Sequence, residues 1–443
     1  MADTITVIGG GLAGCEAAFQ IARRGLGVRL YEMRPGVMTP AHRSGKLAEL
    51  VCSSSFKSDS PSTAHGLLKH EMRALGSIVL QCAAMVEVPG GDALCVDREG
   101  FADHITRQIT SNPLIEVIRE EISEIPADRP CVIATGPLTS DALCKSIAKL
   151  SGARHLHFFD AIAPSVDFES IDQSKVFRQS RYDKGEAAYI NCPMTQEQYD
   201  EFIDALLSAK IAKLHLEEER DTRYFEGCLP IEEIAKRGRN SPAYGTMKPV
   251  GLTDPHTCRR PWVVFQLRHE IVEGSVWGLV GFQTQLRPSE QDRVFRMIPG
   301  LKRAEFVRYG ALHRNTYIDS PNLLSSSLSL KSDIDENQGL FFAGQLIGVE
   351  GYMESAASGI VAGINAAGKA LGEELITPPK ETMIGALLDY IANCPVEDFQ
   401  PMNSNFGILP EIAGKHPKKI RKQLKADRAT TAMQAFVKRL HLS

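Results

Sequence analysis

At 443 residues the chain is too long for one simple core, so two domains, or one domain carrying a large insertion, are expected. Hydrophobic residues make up 43% and charged residues 23%, an ordinary globular balance that excludes a disordered or low-complexity chain. The net charge of −4 excludes a chain that is basic throughout, but from residue 415 onward nine basic residues face Asp427 alone, so the tail carries +8 and the remainder −12. Such asymmetry points to an anionic partner at the C-terminal end, against the plainer reading of a solvated amphipathic closing helix.

The opening stretch TITVIGGGLAGCEAAFQIARRGLGVRLYEMRPG reads as strand, tight turn, helix, strand. Gly9, Gly11 and Gly14 fit G-x-G-x-x-G at the strand–helix junction. The first allows the turn, the second lets the backbone approach a pyrophosphate, and the third permits close helix–strand packing. Gly10, Leu12 and Ala13 lie within the same phosphate-binding turn. Glu32 ends the second strand, where a carboxylate can accept hydrogen bonds from ribose hydroxyls. Next comes AELVCSSS, a lone cysteine, Cys52, between apolar residues and three serines; a buried structural cysteine usually has apolar neighbours on both sides. PCVIATGP is an apolar strand ending in Thr-Gly, suited to returning the chain beside a nucleotide.

Between about residues 164 and 300 the helix–strand alternation weakens. KGEAAYINCPM, RPWVVFQLRHE and SVWGLVGFQTQL are strand-like, and TQEQYDEFIDALLSAK is an amphipathic helix. The expected architecture is therefore α/β: a Rossmann-like dinucleotide-binding domain from both chain ends (1–163 and 301–443), interrupted by a mixed, mainly antiparallel α+β insertion (164–300). The segment GLFFAGQLIGVEGYMESAASGIVAGINAAGKAL supplies another strand, a turn containing Gly344 and Gly351, and a small-residue helix. Its N-terminus can face the electron-rich end of a flavin, which favours FAD over NAD as the resident cofactor. ITPPKET marks a loop, after which the chain closes with helices and the basic tail. The ten cysteines form no CxxC pair, so neither a metal site nor a disulfide framework is expected. Without a signal-like start or an apolar run long enough to span a membrane, a cytoplasmic protein is expected.

These residues resemble the bacterial folate- and FAD-dependent tRNA (uracil-5-)-methyltransferases. The resemblance runs through YEMRP, TPAH, AELVCS, EMRALGS, ATGPLTS, SRYDKGEAAYINCPM, FEGCLPIEE, MKPVGL, RYGALHRNTYI, GVEGYMESAASG and FQPMNSNFG. The chain departs from the pattern at CSSSFKSDS, where CSNS and a shorter run are expected.

The resemblance implies that 5,10-methylenetetrahydrofolate donates a one-carbon unit to C5 of a T-loop uridine in tRNA. FAD would carry and reduce that unit, and NADH or NADPH would recharge the flavin. It implies Cys228, in RYFEGCLPIEE, as the thiol that adds to C6 of uracil, and Cys52 as the base that removes the C5 proton. Cys192, in INCPM, is expected to pack. His313 in YGALHRNTY is implied as the ring that stacks on the pterin, with Arg314 and Asn315 as further folate contacts. Nucleic-acid contacts are expected from the tail and from basic loops such as AKRGRN (235–240), and the target base must leave its stack to reach a flavin. The competing expectations are a uridine of large-subunit ribosomal RNA as target, and a plain FAD-dependent oxidoreductase acting on a small molecule.

Overall fold

The computed structural model describes residues 4–151, 156–161, 163–183, 186–212, 229–270, 275–331, 338–414 and 416–440. At its centre is a five-stranded parallel sheet whose spatial order is Leu340–Phe342, Cys131–Ile133, Thr4–Ile8, Gly27–Tyr31 and Ile115–Ile118. Such a sheet is buried on both faces, which is why its strands read as apolar runs: Ile5, Val7, Val132, Ile133 and Phe341 are all fully buried. The sheet joins residues more than 300 positions apart, so both chain ends build one Rossmann-like unit.

Two helices on this sheet lie against each other at unusually close range. Leu12–Arg23 follows the first strand, and Tyr352–Ala370 follows the last. A Cβ on Gly359 would stand 2.2 Å from the carbonyl oxygen of Ala13, and one on Gly363 would stand 2.6 Å from that of Ala17. The small-residue face of the second helix thus lets two backbones touch, and it brings both helix N-termini to the same edge of the sheet.

A six-stranded antiparallel sheet forms the insertion, in the order Phe177–Arg178, Tyr189–Met194, Val263–His269, Val276–Leu279, Ser165–Asp167 and Phe306–Arg308. It has its own core, centred on Trp277, Phe265, Phe282 and Phe295. The sheet reaches past residue 300 to take in Phe306–Arg308, because that strand pairs with Ser165–Asp167 across a gap that no local pattern reports. Leu156–Ala161 and Leu312–Tyr317 pair antiparallel where the chain enters and leaves the insertion.

Buried carboxylates tie peripheral helices to the core. Glu71 accepts from the backbone N–H of Met383 at 2.7 Å and of Ile384 at 2.9 Å, the first turn of the helix Met383–Asn393. Glu16 does the same for Ile78 and Val79 at 3.2 and 3.1 Å. Each satisfies N–H groups that a helix start leaves without intrahelical partners.

Candidate active site

A cavity runs along the carboxyl edge of the parallel sheet, walled by Gly10, Gly11, Leu12, Ala13, Glu32 and Gly344 among others. Gly9 has φ +103°, and a Cβ there would meet the Ala134 carbonyl oxygen at 2.5 Å. A Cβ on Gly14 would fall 1.7 Å from the Gly9 carbonyl oxygen, so Gly14 serves packing and does not line the cavity. A Cβ on Gly11 would meet nothing within 4 Å. The helix that starts at Leu12 has no side-chain cap, and its first N–H groups face that open volume. An open space, an uncapped helix start and an acidic residue at the next strand end fit the pyrophosphate and ribose of a dinucleotide.

Glu32 is 5% exposed and is held more tightly than its sequence position suggests. Its Oε2 accepts from Gly10 N–H at 3.0 Å and from Arg34 Nη2 at 3.0 Å, while Oε1 accepts from Arg34 N–H and Nε at 2.9 Å. Burial alone would raise its pKa. The Arg34 hydrogen bonds and charge, with Gly10, outweigh burial and hold the carboxyl below the usual range. Arg34 also reaches Glu49 at 3.2 Å, which fixes the fork in place.

The cavity continues past Val51, Pro137 and Tyr352 into a second one, whose wall includes Cys52, Lys57, His65, Asn315 and Gly351. Cys52 is half-buried. Its backbone N–H donates to Tyr352 Oη at 2.7 Å, and that of Ser53 donates to the same oxygen at 3.3 Å. Its carbonyl oxygen accepts from Arg308 Nη2 at 3.3 Å and Arg98 Nη2 at 3.4 Å. Both guanidiniums pair with Glu270, at 3.2 and 3.3 Å. Ser53 Oγ accepts from Arg268 Nη2 at 2.8 Å, and Ser54 Oγ donates to the His269 carbonyl at 3.3 Å. The serines after Cys52 therefore clamp the loop to the insertion. Tyr352 is half-buried beside Cys52, and desolvation followed by the cysteine's charge pushes its phenol pKa up.

On the far wall, Glu354 accepts from Ser404 N–H at 3.0 Å and Oγ at 2.6 Å, with His65 Nδ1 3.4 Å away. Burial opposes its ionisation, but the His65 hydrogen bond, the charges of Lys57 and His65, and Ser404 together lower its pKa to about 2. Lys57 sits at φ +61° inside the bulged strand Ser55–Ser58, an unusual conformation for a non-glycine residue. Lys69 holds that strand by donating to the carbonyls of Phe56 and Ser58, each at 2.8 Å, and to that of His65 at 3.1 Å.

Of the residues expected from the sequence, Gly10, Gly11, Leu12, Ala13, Glu32 and Gly344 line the first cavity, and Cys52, Asn315 and Gly351 the second. Gly9 forms the turn beneath them and also lines the first. Cys228 lies outside the described residues, as do the side chains of His313 and Arg314, whose strand positions oppose Asp160 and Phe159. Cys192 is fully buried, and burial pushes its thiol pKa up. Among the described residues no three His, Cys, Asp or Glu side chains are grouped to hold a metal ion, and no helix is long and apolar enough to cross a membrane.

The family model of glucose inhibited division protein A matches residues 4–374. The chain is 55% identical over 415 residues to the methylenetetrahydrofolate–tRNA-(uracil-5-)-methyltransferase TrmFO of Desulforudis audaxviator, covering 94% of this chain and 93% of that one. It is 53% identical to the protein of the same name from Streptococcus thermophilus, covering 98% of both. The chain belongs to the folate-dependent tRNA (uracil-5-)-methyltransferases. Two crystal forms of Aquifex aeolicus GidA share the fold, with TM-scores of 0.67 at 17% and 18% identity. They cover 98% of this chain and 73% and 76% of theirs.

In this methyltransferase chain, sequence reasoning missed the groups that position Cys52: Tyr352, Arg98, Arg268, Glu270 and Arg308. Tyr352 directly follows Gly351, and Arg34 lies two residues after Glu32, so both carried a local signal. Arg98, Glu270 and Arg308 carried none. The basic tail takes the form of the amphipathic closing helix, the plainer reading of its charge. Lys418–Arg439 is one helix whose Ala429, Met433 and Phe436 are buried in the main core. Lys425 Nζ donates to the carbonyls of Phe406 and Leu409 and to Glu411, at 2.9–3.0 Å. Amphipathic packing has drawn part of the charge inward.

Proposed function

We propose that this chain methylates C5 of uridine 54 in the T-loop of tRNA, with 5,10-methylenetetrahydrofolate as one-carbon donor, FAD as resident cofactor and NAD(P)H as reductant. The observation that carries the reading is the continuity of the two cavities: Cys52 stands where a dinucleotide lying along Gly9–Gly14 would present its far end. When bound, the flavin supplies the electrons that reduce the one-carbon unit. The chain's own part is nucleophilic and acid–base chemistry. Addition of the Cys228 thiolate to C6 makes C5 nucleophilic, C5 takes up the one-carbon unit, and Cys52 then accepts the C5 proton, after which the thiolate leaves C6. The folate is assigned to the cavity beside Asn315, with His313 and Arg314 on the same strand.

The decisive experiment incubates the purified protein with unmodified tRNA, methylenetetrahydrofolate and NADPH, followed by nucleoside analysis. A 5-methyluridine at position 54 that requires the folate is expected. Methylation only of a ribosomal RNA transcript, or turnover independent of folate, would overturn the reading. RNA carrying 5-fluorouridine separates the two thiols: Cys228→Ala should form no covalent complex, whereas Cys52→Ala should form one without completing methylation.

A further inference from the structure

The insertion carries a second concentration of basic residues on its surface. Between residues 235 and 262 lie Lys236, Arg237, Arg239, Lys248, Arg259 and Arg260, and within that stretch one acid, Asp254; Lys236 pairs with Glu233, and Arg239 with Asp200 and Asp204. Asp254 is buried, and its Oδ1 accepts from His256 N–H at 2.9 Å. Lys248, Arg259 and Arg260 are exposed and have no ion-pair partner among the described residues. The same surface exposes three large aromatic rings: Tyr244 at 83%, Tyr182 at 64% and Trp262 at 50%. Rings of this size normally bury most of their area, so three of them exposed among cations need a reason.

Close contacts link the segments that carry these groups. Tyr182 lies over Gly251, where a Cβ would sit 3.0 Å from its ring, and its N–H donates to the Gly251 carbonyl at 2.8 Å. It is held there at φ +59°. Arg181 Nη1 donates to the carbonyls of Lys248 and Val250, both at 2.8 Å. The N–H of Val264 donates to the Met247 carbonyl at 2.9 Å, which ties the strand that follows Trp262 to the residue before Lys248. Thr246, two residues after Tyr244, stands against Gly281, where a Cβ would meet its Cγ2 at 2.5 Å; Gly281 lines the cavity that holds Cys52. The strip therefore begins at the wall of the reaction cavity and runs outward over the insertion.

We propose that this strip is a stacking platform for unpaired nucleotides of the RNA substrate, with Tyr244, Trp262 and Tyr182 receiving bases and Lys248, Arg259 and Arg260 their phosphates. A base drawn out of its stack leaves neighbours that have lost a stacking surface, and exposed rings beside the cavity replace it. The proposal rests on the reading of tRNA as substrate and adds where its loop lies.

Tryptophan fluorescence tests it directly, because the chain has two tryptophans and Trp277 is fully buried under Arg178 and beside Phe168. Acrylamide quenching thus reports on Trp262. A T-arm hairpin RNA should shield it, and the Trp262→Phe variant should lack the quenchable component. Trp262→Ala and Tyr244→Ala should each weaken hairpin binding about 10-fold with unchanged melting temperature. Arg259→Glu with Arg260→Glu should flatten the slope of log affinity against log salt by about two. If the hairpin binds by anisotropy while quenching and variant affinities stay at the unmodified protein's values, this surface is not the platform, although the tRNA reading stands. If neither the hairpin nor whole tRNA binds, both fall. Shielding that grows with protein concentration in the absence of RNA would assign the face to a second copy and overturn the proposal.

Discussion

Arg308 Nη2 donates to the carbonyl oxygen of Cys52 at 3.3 Å across 256 residues of chain, and in doing so joins the insertion to the loop that carries Cys52. Burial, then neighbouring Arg98, pulls the Arg308 pKa below the ordinary arginine value, and Glu270 and the Cys52 thiol oppose that fall. Arg98 and Arg308 thus gather with Glu270 at the carbonyl of Cys52, with Arg268 on the next residue, Ser53. Removing a cation should make the Cys52 thiolate costlier, and removing the anion should do the reverse. At neutral pH, iodoacetamide labelling of Cys52, followed by mass spectrometry, should slow roughly 3- to 10-fold in Arg308→Gln and quicken in Glu270→Gln. Movement of both variants in the same direction would show that the cluster only holds the loop's shape.

The dinucleotide turn separates binding from folding. Gly11 has open space where a Cβ would stand and φ −77°, so Gly11→Ala should fold normally yet purify with little flavin, because the new methyl group occupies the pyrophosphate's place. At Gly14 the same change drives a Cβ into the Gly9 carbonyl oxygen and should abolish soluble, folded protein. Flavin absorbance and circular dichroism on the two variants check this. A yellow Gly11→Ala protein would mean that the cofactor does not cross the turn there.

Acid should reveal Glu354. Its folded pKa of about 2 lies below the ordinary 4.5, so its stabilising contribution is fully present above pH 4.5 and is lost as pH falls through 2. Glu354→Gln should cost up to about 3 kcal/mol near neutrality. The gap from the parent protein should close between pH 4.5 and 2. Melting curves across that range test it, and a gap that is constant with pH would show that His65 and Ser404 act only through geometry.

The closing helix should prove structural. Deleting everything after Gly414 removes Met433 and Phe436 from the core and Lys425 from its carbonyl ligands, at a cost of several kcal/mol. By contrast, Lys422→Glu, on the exposed face against Phe406, should change stability by no more than about 0.5 kcal/mol. It should lower the RNA salt slope by about one only if the helix touches phosphate. Thermal melts and binding titrations on the two variants distinguish the roles.

Local chemistry made part of this molecule legible in one dimension. The Gly9–Gly14 turn, the strands on either side, Glu32 and the small-residue helix after Gly351 are each specified by neighbours a few residues apart, where period and steric demand leave their mark. Cys52 was conspicuous for the same reason, as a thiol among serines. Only the tertiary structure decided what surrounds that thiol. Arg98, Glu270 and Arg308 come from a helix start, the bend after one strand and the end of another, which share no sequence pattern, and they meet because the insertion's sheet packs against the loop after the first βαβ unit. The tail shows the same division: its charge was plain in the sequence, but only packing decided that Lys425 turns inward while other lysines stay in water. Desolvation and long-range pairing depend on which segments fold together, and a local window of sequence does not contain that information.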